Sequence, residues 1–170
     1  KFPPIYLLHG DFTDDEMNEL YNHHKIKSMI SLTKGEGFGR PLLEFSLTGK
    51  PIIVSNWSGQ VDFMHGDYTT LIPGKLEKLH PSSVMENMLL VESEWFSPDE
   101  NAAKFAITDV FKNYKLYKAK SKTQKEWSQK YVSFHQMKTI LKKYLDHYVP
   151  KDIPKKIGLN LSGLEDIKIT

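Results

Sequence analysis

The chain has 170 residues, enough for one domain, and its 39% hydrophobic residues with 3 Trp, 8 Tyr and 9 Phe exclude a wholly disordered protein. No apolar run reaches the ~18 residues of a membrane span, and the lack of cysteine excludes a disulfide scaffold, a thiol nucleophile and thiolate metal sites. The net charge of +2 conceals an asymmetry, because residues 1–100 carry a balance of −7 and residues 101–170 a balance of +9.

Residues 1–74 alternate short apolar runs with helical patterns, which predicts a parallel α/β sheet with right-handed crossovers. Four apolar runs predict strands, at residues 5–9, 26–32, 51–54 and 69–72. Thr13 and Glu16 stand at the spacing of a capping box, which predicts that a helix begins there. Pro41 and Gly49 are typical of the first turn and the C-terminal cap of a second helix.

After Gly74 the pattern becomes mainly helical. Residues 88–91 are a candidate strand, and three helices are predicted at residues 98–114, from there to about 130, and at 133–147. Residues 157–164 alternate weakly, which is typical of an edge strand or a docking arm. We therefore predict a Rossmann-like parallel sheet with flanking helices and C-terminal helices in residues 1–150, followed by an extension at residues 151–170.

The most informative segment is the glycine-rich run Gly-Glu-Gly-Phe-Gly-Arg-Pro at residues 35–41, between a predicted strand and a predicted helix. Open parallel sheets bind ligands where strands end and loops meet helix N-termini. Glycines there let the backbone approach a ligand closely, and the helix N-terminus favours an anion. The run has neither the Lys-Ser/Thr ending of a P-loop nor the spacing of a dinucleotide fingerprint, so neither site is predicted.

Two carboxylates give this segment a further possible role. Glu36 lies inside the loop, and Glu44 lies about one turn into the predicted helix. Carboxylates accept hydrogen bonds from vicinal hydroxyls, so one could hold a ribose and the other a sugar. The alternative is that both acids only favour the helix N-terminus, an effect of about 0.3–1 kcal/mol each.

Residues 36–44 (Glu-Gly-Phe-Gly-Arg-Pro-Leu-Leu-Glu) resemble the Glu-x7-Glu motif of retaining glycosyltransferases of family 4, which have the two-Rossmann-domain GT-B fold. The flanks carry the resemblance further. Residues 5–21 resemble that family's strand that ends in glycine before a helix, and residues 49–53 its Gly-x-Pro-Val strand. Residues 95–137 resemble its late helical region, so the likeness covers roughly residues 5–148.

The resemblance implies a site for a nucleotide diphosphate sugar, with no metal ion and no other cofactor. Glu36 would be the catalytic residue, since it would contact the hydroxyls of the donor sugar and stabilise charge near its anomeric carbon. The backbone at Gly37, Phe38 and Gly39 would hold the donor sugar and nearby phosphate oxygens. Glu44 would accept hydrogen bonds from the ribose hydroxyls.

Four further residues receive weaker roles from the same resemblance. Thr33 falls close to the phosphates, where the family often has a small hydroxyl residue. Arg40 replaces an apolar residue of the family and either adds a phosphate contact or points at solvent. Gly10 and Phe12 would lie near the nucleobase.

The chain departs from the family in what it lacks. The Arg/Lys pair that grips the diphosphate and the N-terminal Rossmann domain that supplies most of the acceptor site have no counterpart in it. We therefore expect part of the C-terminal domain of a larger cytoplasmic or membrane-peripheral enzyme of carbohydrate biosynthesis, inactive in isolation. The acceptor, whether sugar, lipid or protein, is left open.

A second hypothesis rests on the charge asymmetry alone. The +9 balance of residues 101–170 favours a basic module that binds a polyanion or an anionic membrane without catalysis. The alternative is that these lysines only form a solvated helix face and bind no partner. Arg40 is the single arginine, and because nucleic-acid readers depend on arginine, no specific nucleic-acid partner is expected.

Overall fold

The computed structural model describes residues 3–85 and 88–150, which belong to two compact units. The first unit extends to Ser133. In the second, the described residues form the helix α5 (Phe134–Tyr148), which agrees with the helix predicted at 133–147. The predicted extension at 151–170, with its weak strand at 157–164, lies outside the described residues.

The first unit is built on a parallel sheet of three strands in the order β1-β2-β3. These strands are β1 (Met29–Ser31), β2 (Ile52–Ser55) and β3 (Thr70–Ile72). All four residues of β2 are buried, as expected for a central parallel strand that is covered on both faces. The predicted α/β class with a Rossmann-like parallel sheet is therefore confirmed, together with three of the four strands of its first part.

Four helices of the first unit surround this sheet: α1 (Asp14–Asn22), α2 (Arg40–Ser46), α3 (Glu100–Lys112) and α4 (Tyr114–Tyr131). The predicted capping box begins α1, since Glu16 Oε2 accepts from the Thr13 backbone N–H at 2.8 Å. Asp99 caps α3 by accepting from the Ala102 N–H at 2.8 Å. Local sequence chemistry thus sets where these helices begin.

The two faces of the sheet are covered by different helices. Leu42 and Phe45 of α2 pack with Ile52 and Val54 of β2, and Trp127 of α4 joins this cluster. On the other face, Ile53 and Ile72 pack against three residues of α3, which are Ala103, Ala106 and Val110. The alternation of Ile52, Ile53 and Val54 between the two clusters is the two-residue period of a strand.

The strand predicted at residues 5–9 is wrong. This segment is irregular, and Ile5 and Leu7 are 89% and 91% exposed. An apolar run creates only a preference for a strand, because the backbone groups also need a neighbouring strand as partner. Within the described residues, β1 is an edge of the sheet and pairs with β2 alone.

The strand predicted at residues 88–91 is also wrong, and an antiparallel hairpin was missed. The hairpin consists of β4 (Gly74–Lys78) and β5 (Glu94–Pro98). In the connection between these two strands, Met85 and Leu89 form only an isolated antiparallel bridge. The hairpin strands carry many polar residues and are separated by a long connection, so neither an apolar run nor a turn signal marks them.

A row of polar contacts, the polar seam, joins α4 to α2 and to the segment between β2 and β3. Gln124 is 1% exposed, and its Nε2 donates to the Phe63 carbonyl at 2.7 Å. Its Oε1 accepts from the His65 backbone N–H at 3.3 Å. The hydroxyls of Ser128 on α4 and Ser46 on α2 lie 3.0 Å apart. These bonds fix α4 against α2 and against the segment between β2 and β3, with more geometric specificity than apolar contact alone.

We expect Gln124→Met to lower the free energy of unfolding by about 2–4 kcal/mol. The variant keeps the side-chain volume but leaves the Phe63 carbonyl and the His65 N–H without partners in the core, at about 1–3 kcal/mol each. Urea unfolding followed by circular dichroism measures the loss. Gln129→Met on the exposed side of α4 is the matched control and should stay within about 0.5 kcal/mol of the parent. Equal losses in both variants would contradict a structural role for the seam.

Candidate functional site

The candidate site lies at the carboxyl edge of the parallel sheet. The predicted glycine-rich loop follows β1 and leads into α2, and a second loop with Ser58 and Gly59 follows β2. β1 and β2 are parallel neighbours, so these loops emerge side by side. Ligands of open α/β sheets bind at this edge.

Hydrogen bonds to the backbone of Glu36 hold the two loops together. The Ser58 hydroxyl accepts from the Glu36 N–H at 3.2 Å and donates to the Glu36 carbonyl at 2.5 Å. The Gly59 N–H donates to the same carbonyl at 3.1 Å. Ser58 has a φ of +69°, which a non-glycine residue rarely adopts, so its surroundings hold it there. The backbone of Glu36 is therefore fixed by the neighbouring strand's loop.

Glu36 is half-buried, and its side chain lies beside the start of α2. Its Cγ is 3.4 Å from the position that a Cβ on Gly39 would occupy. Gly39 is the N-cap of α2 and has a φ of +89°, a conformation that favours glycine. Phe38 between them is partly exposed, and its ring centroid lies 4.9 Å from that of Phe63. This loop thus combines one carboxylate, a close backbone approach and an accessible aromatic ring.

Beneath the loop, two buried polar atoms have no hydrogen-bond partner among the described residues. They are Thr33 Oγ1 and Gln60 Oε1. Gln60 is 1% exposed, and its Nε2 donates to the Ser55 carbonyl at 3.2 Å. Ser55 in turn donates to the Thr33 carbonyl at 3.0 Å. Buried polar atoms nearly always have a hydrogen-bond partner, so two buried oxygens without one beneath the same loop are unusual.

Glu44, Arg40 and Phe12 come together in a cleft between α1 and α2. The cleft has a volume of about 480 Å³, within the usual size of a small-molecule site. Arg40 Nε lies 3.2 Å from Glu44 Oε1, and both side chains are exposed. Such a surface ion pair contributes little stability, so both groups stay accessible to a ligand.

Tyr21 of α1 also lines this cleft, a residue that the sequence did not single out. Its ring meets Phe45 edge-on, with ring centroids 5.5 Å apart. Burial, and secondly the Glu44 carboxylate, raise the pKa of the Tyr21 phenol, while Arg40 acts in the opposite direction. The phenol therefore stays protonated at neutral pH and can donate a hydrogen bond.

Most of the predicted site residues thus fall into two groups, one in the loop before α2 and one in the cleft between α1 and α2. The loop group consists of Thr33, Glu36, Gly37, Phe38 and Gly39, and the cleft group of Phe12, Arg40 and Glu44. Gly10 is not among the residues that line the cleft; it lies at a bend in the irregular segment before α1 and has a φ of +150°.

A larger cavity of about 720 Å³ lies between the N-terminal segment and α1. It is lined by Leu8, Phe12 and the pair His23 and His24, among others, but by no residue of the glycine-rich loop. Within residues 3–85 and 88–150, no group of three or more histidines and acids is placed to hold a metal ion. No helix of the described residues is long and apolar enough to cross a membrane.

No protein-family model matches the chain, and no curated protein matches it. The likeness to family 4 therefore stays a prediction from the sequence motifs quoted above.

Proposed function

We propose that this chain is the donor-binding part of a retaining glycosyltransferase of the family 4 type, which moves a sugar from a nucleotide diphosphate to an acceptor. One observation carries the proposal. The Glu-x7-Glu segment begins in the loop after β1 and ends within α2, at the sheet edge where α/β proteins bind ligands. Its two glutamates lie on either side of Gly39 in the sequence, Glu36 in the loop and Glu44 in the cleft.

The two groups of residues suit the two ends of a nucleotide sugar. In this proposal the nucleoside occupies the cleft, where Glu44 accepts from the ribose hydroxyls and Tyr21 donates a further hydrogen bond. Arg40, the residue of the cleft group that directly follows the loop in the sequence, meets a phosphate oxygen. The sugar lies against the glycine-rich loop, where Glu36 accepts from its hydroxyls and faces the anomeric carbon. The acceptor site comes from a further Rossmann domain, as the resemblance implies.

An amide NMR titration of the chain with a panel of nucleoside diphosphates and their sugars tests this function. We expect saturable shifts at residues 33–44 and at Phe12 and Tyr21, with the largest response identifying the base. Glu44→Ala should weaken them, whereas the matched variant Glu92→Ala, on an exposed residue outside the site, should not. Shifts that are absent at millimolar ligand, or that lie elsewhere in the chain, would contradict the proposal.

A further inference from the structure

A cluster of lysines lies around the opposite, amino-terminal edge of the sheet. Lys27 precedes β1, and the turn at Gly49 precedes β2. α4 passes next to this turn, since the Cα of Lys122 and the Cδ of Lys125 lie 3.8 and 3.5 Å from a Cβ built on Gly49. At its start, Tyr114 donates its hydroxyl to the Lys27 carbonyl at 3.2 Å. The helix and the strand starts therefore share one surface.

The lysines of α4 form one stripe along the helix. Lys115, Lys118, Lys122 and Lys125 follow at spacings of three, four and three residues, which places them on one side of an α-helix. The buried residues Ser121, Gln124 and Ser128 lie on a neighbouring side, so the stripe flanks the packed face. At about 1.5 Å per residue, the stripe is about 15 Å long.

The positive charges of this stripe are not neutralised within the described residues. The ion pairs found there join Arg40 to Glu44, Lys75 to Glu77 and Lys142 to Asp146. Burial lowers the pKa of Lys118 most, and repulsion from the charges of Lys122, Lys125 and Lys27 lowers it further. Among the residues of α4, Glu126 is the single acid. The approach of anions to such a cluster is energetically favourable, because it offsets the repulsion among the lysines.

Lys50 at the same edge has a different role. Its Nζ donates to the carbonyls of Tyr21 at 2.5 Å and of His23 at 2.9 Å, so its ammonium is used within the fold. We therefore leave it out and define the basic surface as Lys27, Lys115, Lys118, Lys122 and Lys125.

We propose that the basic surface docks this unit onto an anionic lipid membrane. A cluster of four to eight basic residues on a helix is typical of binding to anionic headgroups. A nucleic-acid partner is disfavoured because the surface contains no arginine, the side chain that suits bidentate contacts to phosphates and bases. Docking through the amino-terminal edge leaves the carboxyl edge open to solvent. The proposal stands independently of the proposed sugar transfer.

Co-sedimentation of the whole chain with vesicles tests the docking. We expect binding to phosphatidylserine–phosphatidylcholine vesicles at low salt, a steep loss at raised salt, and no binding to pure phosphatidylcholine. The triple variant Lys115→Gln, Lys122→Gln, Lys125→Gln should weaken binding on the order of 100-fold, since each lysine contributes about fivefold near an anionic surface. Thermal unfolding confirms that the variant folds.

A second triple variant of equal charge separates the basic surface from net charge. Lys78→Gln, Lys104→Gln, Lys130→Gln removes three exposed lysines of the same unit that are not part of that surface and should change vesicle binding by no more than a few-fold. An equal loss in both variants, or no vesicle binding at low salt, would overturn the proposal. Tighter binding to a short DNA duplex than to the vesicles would assign the surface to nucleic acid instead, and would overturn it as well.

Discussion

Replacing Gly59 by alanine is expected to lower the free energy of unfolding by about 2–4 kcal/mol and to displace the glycine-rich loop. A Cβ on Gly59 would lie 2.1 Å from the Gly37 carbonyl oxygen and 2.9 Å from the Cα of Phe38. Both are backbone atoms that cannot turn aside, so one of the two loops must move. The move adds strain of about 1–3 kcal/mol and breaks the 3.1 Å bond from the Gly59 N–H to the Glu36 carbonyl.

Gly35→Ala is the matched control for this prediction. No atom lies within 4 Å of a Cβ on Gly35, so the substitution should change stability by no more than about 0.5 kcal/mol. Urea unfolding gives the stabilities, and the amide shifts of residues 36–39 report the position of the loop. If Gly59→Ala leaves both measurements like those of Gly35→Ala, the two loops do not touch in solution.

The central part of the fold could be predicted because its signals are local. Residues 51–54 are apolar throughout, and every residue of β2 proves to be buried. The capping box at Thr13 and the cap at Asp99 begin α1 and α3 as their side chains require. In each case the residues that specify the strand or the helix start lie within that element or directly before it.

The elements that could not be predicted depend on distant parts of the chain. β5 pairs with β4 across a long connection, and its Phe96 N–H donates to the Lys34 carbonyl at 3.0 Å. Residues 5–9 have the composition of a strand, but no strand in the described residues pairs with them. The sequence of a segment does not show which distant segment it will pair with, or whether it will find a partner at all.

The candidate site shows the same division. Glu36 and Glu44 could be singled out because they flank a local motif, but their separation into a loop and a cleft depends on α1, which contributes Tyr21 to the cleft. Ser58 and Gln60 support the loop from 22 and 21 positions away, at Glu36 and Gly39, through contacts made only in the folded chain. A helix wall and a supporting loop are tertiary features, so a motif identifies the carboxylates and not their surroundings.

The two carboxylates should have separable effects on binding. We expect Glu44→Ala to weaken a nucleoside diphosphate and its sugar derivative equally, by about 10- to 100-fold, since it removes charged hydrogen bonds to the ribose that both ligands share. Glu36→Ala should weaken only the sugar derivative, because the loop carboxylate meets the sugar and not the nucleoside. Dissociation constants from NMR titration with both ligands distinguish these patterns.

The change in affinity caused by Glu44→Ala also contains an effect of Arg40, because the variant removes this arginine's ion-pair partner. A freed guanidinium attracts phosphate, which would partly conceal the lost bonds to ribose. A 2′,3′-dideoxynucleoside diphosphate separates the two effects, since it keeps the phosphates but lacks both hydroxyls. For this analogue Glu44→Ala should leave affinity unchanged or raise it. If the variant weakens the dideoxy ligand as much as the ribose ligand, Glu44 does not read the ribose, and the proposed orientation of the donor is wrong.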